Sequence, residues 1–283
     1  MRAPSQVTAR VVAIEPAGAY QLLTLAAPTV AAGSEPGQFV AVAVGGPVTS
    51  MLLRRSFALY TADPGTGLIQ IVVAEHGPGT AWLVRVEPGA SLDVVGPLGR
   101  PFRLPPEAGT AVLVAGGYGS APMFDLARRL RAGGSAVHMV IGAGSAERLF
   151  GVDEAHAVAD SVVVLTDDGS RGIQGLVTRP LPQLLGPAGA SMVYACGPMA
   201  MLEAVGAAAA SHDVPCQVAV EESMACGIGV CMTCVLPVIG ADGRTRMLRS
   251  CVEGPVFDAE RIRWKDVGTL PADVLGADAM VVH

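Results

Sequence analysis

No basic stripe runs through this sequence: 19 Lys and Arg stand against 25 Asp and Glu, for a formal net charge of −6. That balance excludes the electrostatic footprint of a nucleic-acid-binding protein. There is no apolar run long enough for a bilayer either. The longest helical candidate, PMAMLEAVGAAAA at residues 198–210, is short and interrupted by Glu203, so no membrane partner is expected. The N-terminal MRAPSQVTAR does not read as a signal peptide, and internal repeats and low-complexity tracts are lacking. Cysteine is scarce, six in 283 residues. Without a secretory signal these read as reduced thiols or metal ligands rather than disulfides, and a cytoplasmic location is expected. Cys216, in VPCQVAV, reads as an ordinary buried thiol.

Four of the six cysteines carry the strongest signal. Cys226, Cys231, Cys234 and Cys251 spell C-x4-C-x2-C-x16-C, and the first three lie in the glycine-rich run ACGIGVCMTC. This is the ligand spacing of a plant-type [2Fe–2S] cluster. Three thiolates must fold around one side of the cluster, so Gly227 and Gly229 are expected to supply positive φ angles and close backbone approach. A structural zinc site is the alternative. Zinc ribbons usually carry two C-x2-C knuckles and only Cys231 and Cys234 make one, which favours the cluster.

The chain divides into three by texture. Residues 1–103 hold short apolar or alternating segments (VTARVVAI, YQLLTLA, GQFVAVAV, LIQIVVAE, SLDVVGP) punctuated by Gly and Pro. They predict a small antiparallel β-barrel, with a short helix at TAWLVRV. Residues 104–214 alternate strand with helix, from TAVLVAGG and MFDLARRLRAGG through AVHMVIGAG, SVVVLTDDG, GLVTRPLPQLL and SMVYACG to PMAMLEAVGAAAASH. That predicts a parallel-sheet α/β domain, with PFRLPPEAG as the linker into it. Residues 215–283, the cysteine region, have too little apolar sequence for a core of their own and are expected to pack against one or both domains.

Two turns in the α/β domain follow strands and open helices. GGYGSAP, Gly116 to Pro122, would let backbone N–H groups approach a pyrophosphate at a helix N-terminus. Gly-rich turns also arise for packing, and this one departs from the dinucleotide fingerprint: it reads GxGxxP, and no acidic residue ends the next strand. The second turn, ACGPMAML at Ala195 to Leu202, puts Cys196 at the carboxyl end of a strand, where open α/β sheets bind ligands. A buried thiol beside a helix-starting proline is the competing reading. Together the turns would form two sides of one crevice.

The barrel, GGYGSAP, ACGPMAML and ACGIGVCMTC in this order resemble the ferredoxin-reductase-type flavoprotein superfamily. More narrowly, the chain resembles the electron-transfer subunits of NAD-dependent (class 1B) dihydroorotate dehydrogenase. MLLRRSFAL, VVGPLGRPF, TDDGSRGIQGLVT, EESMACGIGVCMTC and RSCVEGPVF all have counterparts there. The resemblance implies an FAD-binding barrel, an NAD(H)-binding α/β domain and a C-terminal [2Fe–2S] region. Arg55, Ser56, Phe57 and Ala58 occupy the family's flavin segment, with Arg55 expected on the FAD pyrophosphate and Phe57 and Ala58 beside the isoalloxazine. Ala58 departs from the usual Ser or Thr, removing a hydroxyl that would face flavin N5. Ile71, Val72 and Val73 match a strand whose backbone contacts the flavin, and Gly79 and Thr80 match a turn that holds phosphate oxygens. On their own, Arg55 would read as a solvated charge and Gly79-Thr80 as a hairpin turn. Gly117, Gly119, Ala121 and Pro122 are implied at the nicotinamide nucleotide's pyrophosphate, and Cys196, Gly197 and Pro198 near its reacting ring. Asp167, Asp168 and Gly169 either border the adenosine or form a solvated turn. NAD is preferred to NADP because no basic cluster is evident, though Arg148 and Arg171 are available.

By the same resemblance the chain is a relay. Nicotinamide gives two electrons as hydride and an iron–sulfur cluster takes one at a time, so FAD stands between them and no side-chain nucleophile is required. The implied partner is an FMN-containing dihydroorotate dehydrogenase catalytic subunit, in a heterotetramer of two plus two. Met224, Ile228, Val230 and Met232 around the cysteines would make either an apolar rim for that partner or local core. Alternatives are a relay subunit of a ferredoxin:NADP oxidoreductase or sulfhydrogenase complex, an oxygenase reductase, and a non-enzymatic redox-responsive binding protein.

Overall fold

The computed structural model describes residues 3–46, 49–186 and 189–277. Six antiparallel strands close a barrel: β1 (Ser5–Ala17), β2 (Tyr20–Ala26), β3 (Phe39–Val42), β4 (Arg55–Asp63), β5 (Leu68–Val73) and β6 (Ser91–Leu98), in the order β1-β2-β5-β4-β3-β6. The two-residue period of a strand explains the interior. Ile69, Ile71 and Val73 of β5 point inward with Leu23, Leu25, Val40 and Val42, while the intervening Val72 faces out. Helix α1 (Pro28–Ala31) follows β2, and α2 (Pro78–Leu83) realises the expected short helix, beginning at a proline that needs no N–H there.

The second unit is an open sheet built from β7 (Thr110–Gly116), β8 (Ala136–Ala143), β9 (Ser161–Thr166), β10 (Ile173–Gln174), β11 (Met192–Cys196) and β12 (Cys216–Ala219). A hairpin of β13 (Val235–Ile239) and β14 (Thr245–Arg249) follows, and then β15 (Val256–Asp258), which returns to the sheet. The order is β10-β9-β8-β7-β11-β12-β15, with only β15 antiparallel. Alternate residues of the central strands feed two cores. Leu113, Met139 and Ile141 pack under α3 (Ala121–Ala132) and α4 (Val152–Val158), whereas Val112, Val114 and Val140 pack under α5 (Leu181–Leu185) and α6 (Met199–Ala210). Strands covered on both faces must be apolar throughout, which is why TAVLVAG shows no alternation. The GLVTRPLPQLL segment is helical only over its last five residues. Pro180 and Pro182 deny N–H groups to a longer helix, so the chain turns from Leu176 to Pro180.

Three contacts fix the parts against one another. Tyr20 and Tyr60 of the barrel meet Tyr118, Phe124 and Phe150 edge to face, at centroid separations of 5.5–6.0 Å. The linker is clamped by buried Gln217 of β12: its Oε1 accepts the Arg103 N–H at 2.9 Å and its Nε2 donates to the Arg103 carbonyl at 3.0 Å. The cysteine region is shared, as expected of a segment lacking its own core. Leu236 and Val238 join the core under α6, and Cys234 and Cys251 bury against Phe39, Ala41 and Leu98 of the barrel.

Candidate functional site

After β7 the chain passes through a single 3-10 turn, Gly117–Ser120, into α3. A Cβ on Gly119 would lie 2.7 Å from the Cys196 carbonyl oxygen, so only glycine lets this turn touch the one after β11. The two Gly-rich turns therefore do flank one crevice. Because β8 and β11 lie on opposite sides of β7, the crevice opens at the switch point of the sheet, the place where open α/β sheets take ligands.

Two cavities meet there. The first, about 340 Å³, lies between barrel and sheet. From the barrel it is lined by Arg55, Ser56, Phe57, Ala58, Val72 and Thr80; from the sheet by Gly119, Ala121, Pro122, Cys196 and Gly197. The second, about 490 Å³, lies over the ends of β7, β8 and β9 and is lined by Gly117, Arg148, Asp167, Thr178 and Pro198, among others. Both expected sets are thus divided: of the pyrophosphate set Gly117 faces the crevice and Gly119, Ala121 and Pro122 the interdomain cavity, and of the ring set Pro198 faces the crevice and Cys196 and Gly197 the interdomain cavity. Ile71 and Val73 point into the barrel, leaving Val72 as the side chain of that strand in the cavity wall. Asp167 borders the crevice, while Asp168 is turned aside to accept hydrogen bonds from the Ser170 N–H at 2.9 Å and its hydroxyl at 2.6 Å.

Arg54 and Arg55 are adjacent and differ in their commitments. Arg54 is paired with Asp93 at 2.7 Å, whereas among the described residues Arg55 donates only to the carbonyls of Leu53 and Arg54. Its guanidinium packs on the first turn of α2, where a Cβ at Gly79 would come within 2.8 Å of Arg55 Nε. The result is an unneutralised planar cation in the cavity wall, suited to a phosphate. The neighbouring Thr80 hydroxyl accepts the His76 and Gly77 N–H groups at 2.9 and 3.2 Å and so closes the turn.

Tyr118 and Glu221, joined by a hydrogen bond from the phenol to the carboxylate, line both cavities and mark their junction. Burial and the Glu221 carboxylate push the phenol pKa up. Burial, aided by the same carboxylate, raises the Cys196 thiol to about 12, so Cys196 is a neutral thiol at physiological pH and no nucleophile. Glu222, also in the wall, is raised by burial. These three polar residues are not singled out by motif. Tyr118 lies inside GGYGSAP and the two glutamates inside EESMACGIGVCMTC, but no spacing rule marks any of the three as a site residue.

The cysteine loop has the backbone its glycines forecast: φ is 70° at Gly227 and 85° at Gly229. The N–H groups of Ile228 and Val230 donate to Cys226 Sγ at 3.5 and 3.4 Å, and the Thr233 hydroxyl donates to Cys231 Sγ at 3.2 Å. With Thr233 as the main cause, the exposed Cys231 thiol is held down to about 6. Such donors suit thiolate ligands. Among the described residues no three His, Cys, Asp or Glu side chains converge on one point that would hold a single ion. Cys231 lies in hydrogen-bond reach of Cys226, and Cys251 in reach of Cys234. The loop abuts the cavity wall: a Cβ on Gly227 would lie 3.5 Å from Ser56 Oγ. Met224 packs inward with the buried cysteines, and Ile228, Val230 and Met232 stand 52%, 76% and 51% exposed.

Residues 221–263 match the family described as the iron–sulfur cluster binding domain of dihydroorotate dehydrogenase B. The electron transfer subunit of dihydroorotate dehydrogenase B (NAD(+)) from Geobacillus thermodenitrificans is 38% identical over 244 residues, 85% of this chain and 91% of that protein. Its counterpart from Desulforamulus reducens is 33% identical over 239 residues, 84% and 90% of the two chains. A solved NADH-dependent reduced ferredoxin-NADP oxidoreductase superposes with a TM-score of 0.81 at 28% identity, over 97% of this chain and 96% of that one. With the closed barrel, the switch-point crevice and the paired thiols, these likenesses establish that the chain belongs to the family of dihydroorotate dehydrogenase B electron transfer subunits.

Proposed function

We propose that this chain relays electrons between NAD(H) and the catalytic subunit of a dihydroorotate dehydrogenase. The observation that carries this reading is contiguity: the nucleotide crevice opens beside the interdomain cavity at Tyr118 and Glu221, and the cysteine loop touches that cavity's wall at Ser56. A bound FAD would supply the chemistry that joins two-electron hydride exchange with nicotinamide to one-electron transfer at a [2Fe–2S] cluster. The chain's own residues bind and orient. Arg55 supplies the cation for the FAD pyrophosphate, Ser56, Phe57 and Ala58 with Val72 line the ring's cavity, and Gly119, Ala121, Pro122, Cys196 and Gly197 form its far wall. Gly117, Pro198 and Asp167 bound the nicotinamide nucleotide. Cys226, Cys231, Cys234 and Cys251 would hold the [2Fe–2S] cluster as thiolates.

Residues 1–103 accordingly serve as the FAD barrel, 104–214 as the NAD domain and 215–283 as the cluster region, although β12 and β15 of that last region complete the NAD domain's sheet. The exposed Ile228, Val230 and Met232 offer an apolar rim to the FMN-containing partner. No helix among the described residues is long and apolar enough to cross a membrane, and a cytoplasmic setting suits six unpaired thiols.

Co-expression with a dihydroorotate dehydrogenase B catalytic subunit tests the assignment. The two chains are expected to copurify and to form orotate with NAD+ as acceptor. Absence of both, with transfer to ferredoxin or NADP+ instead, would favour the second reading, which the whole-chain likeness to the ferredoxin-NADP oxidoreductase supports.

A further inference from the structure

Ser250 sits between β14 and the fourth cysteine, fully buried. Among the described residues its hydroxyl is the one buried side-chain polar atom with no hydrogen-bond partner. Buried hydroxyls are nearly always paired, because an unpaired one forfeits its hydration without compensation. An orphan of this kind points to an acceptor that the protein atoms alone do not supply.

The backbone says where that acceptor lies. The Ser250 N–H donates to the Cys234 carbonyl at 2.8 Å, which extends the antiparallel β13–β14 ladder by one pair beyond Val235 and Arg249. Directly opposed residues of such a ladder project to the same face, so the Ser250 side chain shares a face with Cys234. Its neighbour Cys251 closes onto Cys234, and both thiols are only 2% exposed. At the other end of the loop, the Cys226 and Cys231 sulfurs already receive two amides and the Thr233 hydroxyl. The buried end has Ser250 in the corresponding place.

We propose that the Ser250 hydroxyl donates a hydrogen bond to an inorganic sulfide at the Cys234–Cys251 end of the [2Fe–2S] cluster and thereby raises its reduction potential. The inference rests on the cysteine loop being a cluster site. Reduction adds one electron and hence one negative charge, which a donor to sulfur stabilises more in the reduced than in the oxidised state. Ser250 is in this sense a positioning and tuning residue, and the electron's route is unchanged by it.

The test is a redox titration of the reconstituted, full-length protein, monitored by electron paramagnetic resonance. In Ser250→Ala the reduced-to-oxidised ratio at a fixed ambient potential should fall roughly tenfold, a shift of about 59 mV to more negative potential for a one-electron couple. Iron and sulfide content should match the parent protein. Ser250→Thr, which keeps the hydroxyl, should titrate like the parent. A cluster of parental potential in Ser250→Ala would overturn the proposal. If the alanine variant does not load, Ser250→Thr and its near-isostere Ser250→Val decide, since equal potentials in those two would overturn it as well. Failure of the parent protein itself to bind a cluster would instead refute the cluster reading on which the proposal depends.

Discussion

At the scale of single residues, the account turns on which side chains are left free to meet a ligand. Arg54 is consumed by Asp93, and Arg55 beside it is not. The glycine that makes room for the Arg55 guanidinium is therefore a more telling target than the arginine. In Gly79→Ala a methyl would fall 2.8 Å from Arg55 Nε and drive it from the cavity wall. Because a charge-assisted hydrogen bond contributes about 1.5–3 kcal/mol, FAD affinity should fall by roughly tenfold to a hundredfold, as measured by titrating the flavin-free protein. Unchanged affinity in both Gly79→Ala and Arg55→Ala would remove Arg55 from the flavin site. The flavin segment is assigned by resemblance alone, because an arginine followed by Ser-Phe-Ala has no local property that distinguishes it from a solvated strand end. It passed over Tyr118 and Glu221, which lie 103 positions apart and become partners only once β7 and β12 enter the same sheet.

At the scale of elements, the cysteine loop is the part most fully written in the local sequence. Its spacing, its glycines and their positive φ angles lie within nine residues, Cys226 to Cys234, so little tertiary information is needed to read them. The two glycines are not equivalent. A Cβ on Gly229 would come within 2.5 Å of Val252 Cγ2, whereas one on Gly227 would find ordinary contacts from 3.5 Å. Either alanine carries the left-handed backbone penalty of about 1–2 kcal/mol, and only the first adds a clash. Iron and acid-labile sulfide should thus drop further in Gly229→Ala than in Gly227→Ala; the reverse order would show that the loop rearranges on loading. The barrel strands were legible from alternation and the sheet strands from unbroken apolar runs. The contribution of the cysteine region to the sheet was not. β12 and β15 span four and three residues, too short for any period, and they are strands only because β11 and then β12 offer an edge.

At the scale of the whole molecule, barrel, sheet and cysteine region are bound into one relay by side chains that bridge them. Gln217→Ala would strand the Arg103 N–H of the clamped linker, whose carbonyl keeps the Tyr194 hydroxyl at 2.9 Å, a loss of about 1–3 kcal/mol that should lower the denaturation midpoint. An unaltered midpoint would mean the clamp is incidental. The buried acids set the alkaline limit. Burial raises the thiols of Cys196 and Cys216 from an ordinary value near 9 to about 12, and the Tyr194 phenol from near 10 to about 12. Between those values the unfolded chain has released protons that the folded chain retains, so the unfolded state binds fewer and stability declines as pH rises. Urea midpoints should be insensitive to these groups below about pH 8 and fall from about pH 9 upward. A midpoint that rises over that range would contradict the burial of these groups.

The central claim is that one chain carries hydride chemistry at the crevice and single-electron chemistry at the cysteine loop, through a flavin between them. The most direct test is the ultraviolet–visible spectrum of anaerobically purified or reconstituted protein, recorded before and after addition of NADH. The account predicts flavin bands with a broad iron–sulfur shoulder, both bleaching when NADH is added. A colourless protein that retains zinc after reconstitution with FAD, iron and sulfide would contradict it.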